Sequence, residues 1–104
     1  MITREKILKL MHQHLGEIQE RYAVRRIGLF GSHVRNDAGS ESDIDILVEF
    51  LRPTFDNYMD LKYYLEDLFN TPVDLVMSEA LKPRLKPYIS TEVEYVERLQ
   101  TVSG

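Results

Sequence analysis

Cysteine is absent from this chain of 104 residues. Its absence excludes disulfides, zinc–thiolate centres and thiol catalysis. No apolar run reaches membrane-spanning length, and Met1-Ile2-Thr3-Arg4-Glu5-Lys6 has none of the apolar character of a secretory leader. A cytoplasmic protein with no membrane partner is expected. Positive charge is also in short supply, with 13 Lys and Arg against 17 Asp and Glu and a net charge of −4. Broad nucleic-acid binding normally needs a basic surface, so no direct nucleic-acid binding is expected. Repeats, low-complexity tracts and linkers are missing too, which leaves residues 1–104 as a single domain with one core.

What is present is an ordinary globular composition, 43% hydrophobic and 29% charged. Ile7, Leu8, Met11, Leu15, Ile18 and Tyr22 recur at helical spacing and predict a helix over 3–22, with Thr3 as its N-cap. Residues 24–30 read as a strand that runs into Gly31, followed by a short helical turn over 32–36 and a polar loop to Ser42. A second strand covers 43–50, where Ile44, Ile46, Val48 and Phe50 suit a buried face. A helix over 57–69 places Tyr58, Leu61, Leu65 and Leu68 on its apolar stripe, and Pro72 opens a third strand over 73–76. Ser78 could cap a turn through Leu81, and Pro83 and Pro87 set the start of a last helix, at 84 or 87, running to 93. The tail after Val96 is expected to fray. These elements make a small α/β (α+β) fold, a mixed sheet of three or more strands flanked by helices, with strand order left open.

The chemistry concentrates in one spacing. Ten residues separate Gly31-Ser32 from Asp43-Ile44-Asp45. Two carboxylates at i and i+2 of a strand point to the same side of the sheet. Both are residue types that strands avoid, and as like charges they repel unless a cation lies between them. Asp74 interrupts the third strand in the same way, so adjacent strands would bring three carboxylates together. Such an all-oxygen, cysteine-free set suits Mg²⁺ held partly through substrate phosphates. Gly31 permits close backbone approach, and the turn after it can present N–H groups to a phosphate. Taken singly, each Asp could as well cap a strand or face water; the combination with the Gly-Ser turn favours a site.

Gly31-Ser32, ten residues and Asp43-Ile44-Asp45 resemble the signature of the DNA polymerase β-type nucleotidyltransferase superfamily. Leu29-Phe30-Gly31-Ser32-His33-Val34-Arg35, Ser42 to Phe50, Val73-Asp74-Leu75-Val76 and Ala80-Leu81-Lys82-Pro83 are similar to its smallest branch, the minimal nucleotidyltransferases or MntA-like antitoxins. The resemblance implies a nucleotidyltransferase core with Asp43, Asp45 and Asp74 as ligands of two Mg²⁺ ions, Asp74 also helping to deprotonate the attacking hydroxyl. It implies that Gly31 and Ser32 contact the triphosphate of ATP. It further implies an antitoxin that transfers AMP to a tyrosine of a partner HEPN-domain toxin. One departure is that Asn36, not glycine, follows Arg35; asparagine tolerates left-handed backbone almost as well.

Other residues divide between plain and functional roles. Arg35 could reach a phosphate or be a solvated helix residue. Lys82, Arg84 and Lys86 form a basic run that is more often simply solvated. His33 lies near the site without a second histidine at ligand spacing, and His12 and His14 fit a helix surface. Tyr58, Tyr63, Tyr64, Phe69, Tyr88 and Tyr95 fit core or edge packing, with some open to a partner. Two alternatives to a protein-modifying enzyme remain: an antitoxin that neutralises by binding alone, and a nucleotidyltransferase of small molecules. Against the second, enzymes that modify aminoglycosides resemble this core but add a further domain, and no residues remain here to build one. A purely structural α/β domain would show no Mg²⁺-dependent nucleotide binding.

Overall fold

The computed structural model describes residues 2–35 and 42–97; Asn36, most of the polar loop after it and the end of the tail lie outside the described residues. Helix α1 spans Arg4–Tyr22, and Thr3 caps it by accepting a hydrogen bond from the Lys6 N–H at 3.2 Å. Strand β1 is Val24–Phe30, the single-turn helix α2 is Ser32–Arg35, and strand β2 is Ile44–Phe50. Helix α3, Phe55–Phe69, begins two residues ahead of the predicted start because Thr54 caps it, accepting from the Asn57 N–H at 3.1 Å. Strand β3, Val73–Met77, leads into a 3-10 turn over Ser78–Ala80. Helix α4, Lys86–Glu92, and the two-residue strand β4, Glu94–Tyr95, complete the described chain.

The sheet order is β3-β2-β1-β4. β1 pairs antiparallel with both β2 and β4, whereas β2 and β3 run parallel, joined through α3. The sheet is therefore mixed, as expected, with one strand more than the sequence pattern indicates. The sequence pattern assigns Glu94 and Tyr95 to no element, between the end of the last helix at 93 and the tail after Val96. β4 forms because β1 offers it a free edge, with Gly28 opposite Tyr95 and the Val96 N–H bonding the Ile27 carbonyl at 2.9 Å.

One side of the sheet carries the core. Ile27, Leu29, Ile44, Ile46 and Val48 are each fully buried and pack with Ile7, Met11, Leu15 and Ile18 of α1 and Leu61 and Leu65 of α3. Each such side chain contributes about 1.5–3 kcal/mol relative to exposure. The predicted stripes hold, with Leu8, Tyr58 and Leu68 only half-buried at their margins and Phe69 drawn fully into the core. The Tyr58 hydroxyl donates to the Leu75 carbonyl at 2.7 Å, and the Tyr64 hydroxyl lies 3.1 Å from His14 Nδ1. His14 is thus a packed partner of α3 and not a plain surface residue. The opposite side of the sheet is thinly covered, because α4 buries none of its residues.

Candidate active site

The site lies on that thinly covered side and is built from the ends of three strands. Phe30 of β1, Asp45 of β2 and Asp74 of β3 are register partners across the sheet. Laterally paired residues face the same way, so the Asp45 and Asp74 carboxylates share one side. Asp43 lies two residues before Asp45, just ahead of the strand, and is exposed. Leu47 follows two residues after it and lines a cavity of about 210 Å³ together with Arg26, Glu79, Lys86, Ser90 and Tyr95.

Directly after Phe30 the chain turns sharply. Gly31 has φ of +81°, and its carbonyl accepts from the Val34 and Arg35 N–H groups at 3.1 and 3.2 Å, which closes α2 as a single turn. A Cβ at Gly31 would lie 2.1 Å from Asp45 Oδ2. Glycine is therefore demanded twice, by the backbone angle and by the carboxylate lying against it. This contact brings the Gly-Ser turn against Asp45 in space.

The electrostatics are those of crowded negative charge. The Asp45 carboxyl is held above its ordinary value of 3.8, first by burial, then by the nearby charges of Asp74 and Asp43; Arg35 opposes the shift and Glu92 adds to it. A cation set among these oxygens would reverse the penalty. Among the described residues, no three acidic or histidine side chains stand close enough to hold a metal ion by themselves. A hard-oxygen donor set left incomplete fits Mg²⁺, which retains waters and takes other ligands from substrate phosphates.

Ser32 is half-buried beside this cluster. His33 is 4% exposed, its Nδ1 has no hydrogen-bond partner among the described residues, and burial lowers its pKa. Arg35, which sequence leaves undecided, pairs with Glu92 at 2.6 Å. Lys82 and Arg84 are exposed, and of the basic run only Lys86 touches the cavity.

Glu92 is the residue that sequence reasoning misses. It is the last residue of α4, yet Oε2 accepts the Gly31 N–H at 2.8 Å and Oε1 accepts from Arg35. Sixty-one residues separate it from Gly31. A lone glutamate in a polar helix carries no signal of such a contact.

A Gly-Ser turn packed against Asp45, with Asp43 just ahead of the same strand and Asp74 on the adjoining one, is the arrangement on which the comparisons with known proteins bear. The chain belongs to the nucleotidyltransferase domain family, whose model matches residues 11–96. Within it the chain is similar to the minimal, MntA-like members. Protein adenylyltransferase MntA of Thermococcus cleftensis is 43% identical over 97 residues, covering 92% of this chain and 98% of the relative. A solved structure described as a candidate minimal nucleotidyltransferase superposes with a TM-score of 0.76 at 31% identity, over 89% of this chain and 95% of its own. A structure of a tri-AMPylated Shewanella oneidensis HEPN toxin in complex with MNT antitoxin shares the fold, with a TM-score of 0.62 at 21% identity over 89% of this chain and 74% of the matching one. The protein is a nucleotidyltransferase.

Proposed function

We propose that this nucleotidyltransferase transfers AMP from ATP to a hydroxyl, that of a tyrosine, on a HEPN-domain toxin, and acts as the antitoxin of that pair. The observation that carries the enzymatic part of this reading is the placement of Asp45, which packs against Gly31 on one flank and sits beside Asp74 on the other. The choice of a protein acceptor draws support from the Thermococcus cleftensis relative, named for protein adenylyl transfer.

In this reading Asp43, Asp45 and Asp74, completed by the substrate phosphates, would hold Mg²⁺, two ions in the full site, and the metal would supply neutralisation of the phosphate charge. Gly31, Ser32 and Arg35 bind the phosphate chain and orient it. Asp74 accepts the proton as the tyrosine oxygen bonds to the α-phosphorus. The bond from that phosphorus to the bridging oxygen breaks, and pyrophosphate leaves. The net result is one AMP added to the toxin for each ATP consumed.

The test is the intact mass of a HEPN-domain toxin from the same genome after incubation with this protein, ATP and Mg²⁺. A gain of one or more AMP units, lost with Asp43→Asn, supports the reading. An unchanged mass despite a stable complex overturns catalysis in favour of inhibition by binding alone.

A further inference from the structure

The two groups that Glu92 engages are a backbone N–H and a guanidinium, both anion donors, and both belong to the turn that receives phosphate in the proposed reaction. A carboxylate bridging such a pair occupies the position of an anionic ligand. We infer that Glu92 is a tethered competitor for the phosphate chain: it holds the donors of the Gly31–Arg35 turn, must be displaced when a nucleoside triphosphate binds, and thereby sets the affinity of the site. This inference rests on the nucleotide-binding reading of the turn.

Three features suit Glu92 to that role. Its side chain is only 20% exposed, so the Glu92 end of the pair with the more exposed Arg35 is partly shielded from solvent. The helix that bears it buries no residue, so lifting Glu92 disrupts no core packing. Beyond it the chain is clamped, since Tyr95 pairs with Gly28 and the Val96 N–H bonds Ile27. The tether therefore stays in place while the carboxylate swings away, and it returns once the phosphates leave. Glu92 also lies within electrostatic reach of Asp45, so its departure relieves the crowding of negative charge as the triphosphate arrives.

A contact that stabilises the empty protein and competes with ligand has an unusual signature, in which its loss moves stability and affinity in opposite directions. If about a tenth of molecules have Glu92 lifted from these donors, lifting it in all of them tightens binding about tenfold. The experiment is calorimetric titration of AMP-PNP in the presence of Mg²⁺ into the unaltered protein and into Glu92→Gln, with melting temperatures of both in the absence of nucleotide. Expected are a lower melting temperature and a Kd about tenfold lower for Glu92→Gln. An equal or higher Kd overturns the inference, since a residue that merely braces the turn would lose affinity along with stability. Should Glu92→Gln fail to fold, Glu92→Asp, too short to bridge both donors, takes its place with the same expectation. Failure of the unaltered protein to bind AMP-PNP would overturn the nucleotide reading itself and this inference with it, whereas binding without tightening overturns this inference alone.

Discussion

Strand β2 serves two surfaces that have almost nothing in common. Toward α1 and α3 it presents Ile44, Ile46 and Val48, each fully buried, in a close-packed apolar layer. Toward the other side it presents Asp45 and Glu49, each half-buried, with only Leu47 between them fully covered. The first side gains stability from every residue. The second tolerates crowded carboxylates, a left-handed turn and a helix that buries nothing. The period of two along one strand keeps these demands apart, so the site carries its electrostatic cost without loosening the core.

That separation can be tested by striking each side in turn. The largest effect is expected at Asp45→Asn, which should lower AMP transfer by at least about a thousandfold, or about 4 kcal/mol of transition-state stabilisation. Its melting temperature should hold or rise, because a repelled charge is removed. A mutant with full transfer would break the assignment of this side as the active one. Ile46→Ala, one residue along and facing the core, should do the reverse. It should cost about 3 kcal/mol and lower the melting temperature by roughly 12–24 °C in a thermal scan, with transfer per folded molecule preserved at low temperature.

Gly31→Ala is expected to fall between the two. Left-handed backbone with a Cβ costs about 1–2 kcal/mol, and the new methyl would push Asp45 out of place, so both melting temperature and transfer should drop. The smallest effect concerns pH. The Asp45 pKa is raised on folding, so the folded chain binds the proton more tightly than the unfolded chain does. The stability from this group is fully present below its ordinary value of 3.8 and declines as pH rises toward the raised value. Melting curves of the unaltered protein and Asp45→Asn should therefore diverge in the mutant's favour as pH rises through that window. Parallel curves would show that Asp45 ionises without penalty.

Legibility in the sequence follows the same division. The core side was readable because apolar periodicity is local; Ile7 to Tyr22, Ile44 to Phe50 and Leu61 to Leu65 announce their helices and strand within a few residues. The start of α3 was set two residues late, at 57, although Thr54, the residue that caps it, stands in the sequence. Asp43, Asp45 and Asp74 stood out as charges in apolar strands, and the pairing of β2 with β3 brings the last two side by side. What escaped was made by distance. β4 is two residues long and exists only through its pairing with β1, and Glu92 acquires meaning only from Gly31 and Arg35, brought to it by the fold.

The in-register alignment of Asp45 with Asp74 has one more consequence. Parallel β2 and β3 are joined through a long crossover, a connection that by itself permits slippage by a residue. Such a slip would turn Val73 and Leu75 outward and drive Asp74 inward among the aliphatic side chains beneath α3. An unpaired carboxylate there is prohibitive, so the misaligned sheet is rejected during folding. Asp74 acts as a proofreader of its own strand, and a molecule that has folded at all has already aligned its carboxylates.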